Sequence, residues 1–186
     1  MNSLKLFPRM VIVVGIAFVL SGAVAAGAGF YISNFVHAQL NAQAIVTPED
    51  ASIPNAPVNG IATALSMSEI IQHHAAASGN GLTYAQMGRF AVEGGDPAGT
   101  NSADAALKDA NGAPVANGAR NTQLTAAGLV TSLSLSAMAL GASYAAIALG
   151  IGFLVLGVVI AGLGYALLGL ITPEVAQKFG LHTVSP

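Results

Sequence analysis

Two long runs of apolar residues separated by a mixed polar stretch dominate the pattern along the chain. The first, "MVIVVGIAFVLSGAVAAGAGFYISNFV" over residues 10–36, holds no charge. At 1.5 Å of rise per residue it exceeds the roughly 20 residues that an α-helix needs to cross a hydrocarbon core. The second runs uncharged from 124 to 171 and ends in "AAIALGIGFLVLGVVIAGLGYALLGLI". As one helix it would extend about 70 Å, more than twice a hydrocarbon thickness of about 30 Å. Its first half is milder, with hydroxyls at Thr125, Thr131, Ser132, Ser134 and Ser136. The pattern predicts one long helix over 124–171 whose crossing part is about 146–170. The competing reading makes 124–140 a third span with a turn at 141–143. The first helix is expected over 10–44, because "HAQLNAQAIV" has no breaker before Pro48.

Between the runs the punctuation changes. "TPEDASIPNAPVNG", residues 47–60, carries three prolines and reads as an extended connector. "LSMSEIIQHHAAASG" predicts a short helix over 68–78, with Ser66 or Ser68 as cap, Glu69 complementing the N-terminal dipole and Gly79 as terminator. "LTYAQMGRFAV" predicts another over 83–92, capped by Thr83. Residues 94–118, "GGDPAGTNSADAALKDANGAPVANG", have too few apolar side chains for a core and read as a flexible strap. The expected organisation is a cytoplasmic tail over 1–9, the first helix, an outer region over 45–123, the long helix, and a second cytoplasmic tail over 172–186. The fold class is all-α membrane protein: an antiparallel two-helix transmembrane hairpin with helices extended outside the membrane and a small, loop-rich outer region.

Composition sharpens this picture. Charged residues are 8% of 186 and hydrophobic ones 54%, against about 25% charged in ordinary soluble domains, so lipid is the first solvent to consider. A formal net charge of −2 points to no nucleic-acid partner. With no cysteine there is no disulfide, thiolate nucleophile or thiolate-held cluster. A cleaved signal peptide is the competing reading of the first run, since "VHA" before Gln39 resembles a cleavage site. Signal cores, however, span about 7–15 residues, so the expectation is a retained anchor. Lys5 and Arg9 precede the first run, and Lys178 and His182 follow the second. Between them Glu49, Asp50, Glu69, Glu93, Asp96, Asp104 and Asp109 outnumber Arg89, Lys108 and Arg120, which predicts a multi-pass plasma-membrane protein with both termini cytoplasmic and the centre outside.

Glycines recur at the same interval in both runs: Gly15, Gly22 and Gly29 in the first, Gly150, Gly157 and Gly164 in the second, with Ser136 and Ser143 extending the latter row. A seven-residue repeat keeps one seam facing a partner helix. Small residues are the usual means of close approach where lipid supplies no hydrophobic drive. These eight positions are the expected helix-packing sites, joining the two helices to each other or a flat seam to another protein's helix.

His73 and His74 are the candidates for chemistry. Neighbours on a helix point about 100° apart, whereas a zinc-type pair needs a spacing of three or four, as in H-E-x-x-H. Glu69 and His73 have that spacing and form a possible carboxylate–histidine pair. His37, just past the first run, is placed to snorkel or to meet a partner's polar group. No charged residue lies within the spans to relay protons. The reading is of a chain that is not an enzyme and holds no catalytic residue, metal or cofactor.

"AIVTPEDAS", "SEIIQHHAAASGNGLTYAQM" and "RNTQLTAAGLVTSLSLSAMALGAS", with the flanking runs, resemble a family of small actinobacterial two-span membrane proteins, many of them labelled aromatic ring-opening dioxygenases. The dioxygenase label gains no support from the residues, because a two-histidine, one-carboxylate iron site needs converging ligands. The resemblance implies instead an accessory subunit, a supercomplex association factor, of the respiratory assembly that joins cytochrome bcc (complex III) to the aa3 oxidase (complex IV). Arg89, Arg120 and the acids of the strap would then dock on outward-facing parts of those partners. The strap itself, 94–118, is longer than the family pattern leads one to expect. The competing role is a free-standing or homo-oligomeric envelope membrane protein.

Overall fold

A computed structural model describes residues 3–171, so the expected C-terminal tail, with Lys178 and His182, lies outside the described residues. The described chain is all-helical: α1 (Ser3–Ala42), α2 (Ile61–Ser78), a single 3-10 turn (Tyr84–Gln86) and α3 (Gly118–Ile171). Among the described residues there is no named strand, only isolated bridges such as Val46 to Pro57 and Phe90 to Thr100. By length and composition α1 and α3 are each able to cross a membrane. α3 passes through 141–143 without interruption, as one long helix with no turn there.

The chain divides into two compact units, Met1–Asn34 with Gly141–Pro186, and Phe35–Leu140. The first consists, in its described part, of the N-terminal stretch of α1 and the C-terminal stretch of α3. The second has a small apolar core of Val36, Leu40, Val58, Ala64, Leu133, Ala137 and Leu140, with Ile45, Ile61, Met67 and Ile71 packed against it.

Several boundaries differ from expectation, each for a local reason. α1 begins at Ser3, seven residues early, and ends at Ala42 instead of 44, because Ala44 takes a left-handed φ of 49°. The chain then turns into a knot around Thr47. The Thr47 hydroxyl donates to the Ile53 carbonyl and accepts from the Ala56 N–H at 2.9 Å, while Val58 N–H donates to Ile45 O at 2.9 Å. α2 starts at Ile61, not 68, with Gly60 at its N-cap and the Thr63 hydroxyl accepting the Gly60 N–H at 3.3 Å. Ser66 and Ser68, the expected caps, are therefore interior and buried. Ser66 Oγ receives the Ile53 N–H and the Ser52 hydroxyl, both at 2.9 Å, which ties the proline-rich connector to α2.

The helix expected over 83–92 is one turn long. Thr83 does cap it, its N–H donating to Gln86 Oε1 at 2.8 Å. From Met87 the backbone is extended, and Gly88 N–H donates to Ala98 O at 2.7 Å while Phe90 exchanges two 2.9 Å bonds with Thr100. Those cross-chain bonds replace the intrahelical ones that a longer helix would make. Residues 94–118 form turns joined by bridges. Leu107 N–H donates to Ala91 O, Ala91 N–H to Val115 O and Asn117 N–H to Arg89 O, at 2.8–2.9 Å. The glycine content of this segment is turn chemistry. Gly99 sits at φ 59°, and a Cβ there would meet the Phe90 carbonyl at 2.5 Å. Asn117 closes the segment, donating to the carbonyls of Gly88 (3.1 Å) and Pro97 (2.9 Å) and accepting the Arg120 N–H at the start of α3 (3.3 Å).

Candidate functional site

Within the first unit, the glycines of α1 lie on the backbone of α3. A Cβ built on Gly15 would come within 2.5 Å of Ala161 N; on Gly22, within 2.6 Å of Gly150 O; on Gly29, within 2.6 Å of Ser143 O. From the other side, a Cβ on Gly150 would lie 2.5 Å from Ala26 N, on Gly157 2.6 Å from Val19 N, and on Gly164 2.7 Å from Ile12 Cγ1. Real Cβ atoms do not sit this close to backbone, so no other residue fits these six positions without moving a helix. Each step of seven residues up α1 is matched by a step of seven down α3. Ser143 is 2% exposed at the end of this row. Ser136 belongs to the second unit, and its hydroxyl donates to Ser132 O of its own helix at 3.0 Å.

The residues that complete the seam were not picked out by the glycine spacing. Ile12, Val19 and Ala26 in α1, and Ile147, Leu154 and Ala161 in α3, are the neighbours that the missing Cβ atoms would strike. They too recur every seven residues, three before each glycine of the row in α1 and three before each glycine of the row in α3. The sequence signal was a paired heptad, one row small and one aliphatic, of the kind that sets a knobs-into-holes interface. By contrast Gly27, Gly141, Gly152 and Gly162 have no atom within 4 Å of a built Cβ. The burial pattern, and not glycine content alone, separates packing glycines from incidental ones.

In the second unit the histidines divide their tasks. His74 Nε2 stands 2.6 Å from Asp50 Oδ2, with both side chains more than half exposed. The ring hydrogen bond from His74 holds the Asp50 carboxyl below its ordinary value. Asp50 was not singled out for this role, because only the fold brings it across 24 residues to α2. Glu69 accepts from the Ser52 hydroxyl at 3.2 Å and shares a shallow depression of about 380 Å³ with Asp50 and His73. The His73 and His74 rings are tilted, with centroids 6.0 Å apart. Among the described residues no group of three or more His, Asp or Glu is arranged to hold a metal ion. His37 Nδ1 donates to the Asn59 carbonyl at 2.5 Å, so this ring is engaged within its own unit.

The two arginines are likewise occupied locally. The Arg120 guanidinium lies 3.9 Å from the Tyr84 ring centroid, a cation–π contact, and its Nε is buried. Arg89 sits 5.4 Å from the Phe90 ring. No protein-family model, curated protein or solved structure matches the chain.

Proposed function

We propose that the chain is a non-catalytic structural subunit of a membrane complex, and specifically an accessory subunit that associates or stabilises a cytochrome bcc–aa3 oxidase supercomplex. In this reading α1 and α3 form an antiparallel transmembrane hairpin, both termini are cytoplasmic, and residues 45–123 lie outside. The observation that carries it is the glycine seam, with backbone pressed on backbone along both helices. Such a seam makes a slim, stiff, uncharged pair, suited to packing among other membrane helices without a site of its own. The exposed large apolar side chains that remain, among them Val13, Leu20, Val24, Leu149 and Val158, suit lipid or neighbouring helices. The choice of supercomplex rests on the sequence resemblance.

Purification in a mild detergent, followed by mass spectrometry of co-migrating chains, tests the proposal. Haem-bearing oxidase and bcc subunits in fixed ratio to this chain are the expected result. Recovery of the chain without them would end the supercomplex assignment, and release of the chain by carbonate wash would end the membrane reading.

A further inference from the structure

Four asparagines precede a glycine: Asn59, Asn80, Asn111 and Asn117. In such a pair the glycine nitrogen can attack the asparagine side-chain amide, since no Cβ shields it. The fold treats the four differently. Asn117 is 3% exposed and its amide donates to Gly88 O and Pro97 O, which locks it. Asn59, Asn80 and Asn111 are exposed, and their side-chain amides make no hydrogen bond among the described residues. What separates these three is the nucleophile. Gly81 N–H is held by Ala76 O at 2.8 Å and Gly112 N–H by Asp109 O at 3.0 Å. Gly60 N–H has only the Thr63 hydroxyl at 3.3 Å, which also takes the Asn59 N–H at 3.2 Å. Both are longer than the usual N–H to O distance of about 2.9–3.0 Å. A Cβ on Gly60 would meet nothing within 4 Å, so the approach is open.

The same peptide group carries a second feature. Its carbonyl, Asn59 O, accepts the Nδ1–H of His37 at 2.5 Å. When the Gly60 nitrogen gives up its proton, negative charge spreads to that oxygen, where a donor already stands. Neither Asn80 O nor Asn111 O has a side-chain donor among the described residues. We infer that Asn59–Gly60 is a self-modification site of the folded protein, converting to isoaspartate and aspartate with His37 as the activating donor. Gly60 N loses its proton and bonds to Asn59 Cγ. The Cγ–Nδ2 bond breaks, and ammonia leaves with that proton. Water then opens the five-membered imide at either of its two carbonyls. Opening at the α-carbonyl routes the chain through Cγ as isoaspartate and frees the former backbone carbonyl as a carboxylate. One water is consumed and one ammonia released, with no oxidant or reductant. The freed carboxylate carries the oxygen that His37 contacts, and a hydrogen bond to a charged oxygen is the stronger kind. One backbone atom is also inserted just ahead of α2. The inference depends on neither the membrane nor the supercomplex reading.

Full-length protein in mild detergent, held for days in mildly alkaline heavy-oxygen water and then mapped by peptide mass spectrometry, tests this. Expected at residue 59 is loss of ammonia with uptake of one heavy oxygen, about tenfold faster than at Asn80 or Asn111, whose glycine nitrogens are better held. His37→Leu should slow residue 59 by roughly three- to tenfold, the range that an ordinary hydrogen bond contributes. Loosening of the fold would do the opposite and speed all four sites, so a fall confined to residue 59 belongs to the donor. Gly60→Ala, for which the fold has room, should suppress the reaction. No conversion at Asn59, or conversion as fast at Asn80 or Asn111, would overturn the proposal. So would an unchanged or raised rate in His37→Leu, or an undiminished one in Gly60→Ala.

Discussion

Gly157→Ala is the most direct probe of the helix seam, because a control with identical chemistry lies five residues away. The new methyl would stand 2.6 Å from Val19 N, 2.7 Å from Gly15 O and 2.7 Å from Val19 Cγ2. Two of those three atoms are backbone, so a rotamer change does not relieve the clash. Restoring ordinary contact near 3.5–4.0 Å moves the helices apart locally by about 1 Å, and a gap of 0.5–1 Å forfeits a quarter to a half of each neighbouring dispersion well. Overpacking of this kind costs about 1–3 kcal/mol. Replacing glycine by alanine in a helix gives back as much as about 1 kcal/mol, which obscures the result for a single variant. Gly162→Ala, whose Cβ meets nothing within 4 Å, carries the same propensity gain without the clash. The difference between the two variants therefore isolates the seam: about 1–3 kcal/mol, or roughly 5- to 150-fold in the packing equilibrium. Dyes on Arg9→Cys and Tyr165→Cys, both exposed, report separation of α1 from α3 during a dodecyl sulfate titration in mixed micelles. Coincident curves for Gly157→Ala and Gly162→Ala would refute the argument that glycine is needed for backbone approach.

Three further outcomes follow from individual side chains. Leu140→Ala removes a side chain with 0% exposure from the core of the second unit, and should cost about 2–5 kcal/mol in denaturant unfolding monitored by hydrogen exchange of 35–140. Asn117→Ala leaves the Gly88 and Pro97 carbonyls without their donor. A loss of about 1–3 kcal/mol of local protection across 88–117 is expected, with α1 unaffected. The Asp50 carboxyl should titrate below 3.8, moving toward that value in His74→Ala, as read by carbon-detected NMR. Because the folded-state value is depressed, whatever stability this pair adds is present above about pH 4 and lost as pH falls through the lowered value; with both groups exposed, the effect is small.

The long elements were legible because their signals are local and redundant. An uncharged run of more than twenty residues reads as a helix in either solvent, and the heptad glycines mark the face that comes nearest another backbone. Gly79 was correctly placed at the end of α2, although the left-handed turn there is made by Asn80 and Gly81. What was misread lies where long-range bonds outweigh local propensity. Ser66 and Ser68 have the composition of caps, yet lie inside α2 because Thr63 supplies the cap interaction earlier and Ser66 is needed by Ile53. Residues 87–92 have helical composition, but Gly88 and Phe90 are taken by Ala98 and Thr100. The Gly/Ala/Asn segment looked structureless because it lacks apolar side chains. It is held instead by backbone bonds, which leave no compositional trace.

By itself, the sequence determined that this is a helical chain with two uncharged rods, a face of small residues along each, and a polar, cysteine-free stretch between them. Those properties follow from hydropathy, period and composition, which are written residue by residue. Only the tertiary structure decided which glycines pack and which stand open, that Asp50 meets His74, and that residues 88–117 close on Asn117. Such pairings depend on where distant backbone returns in space, and a contact 20 or 40 residues away has no period by which to announce itself.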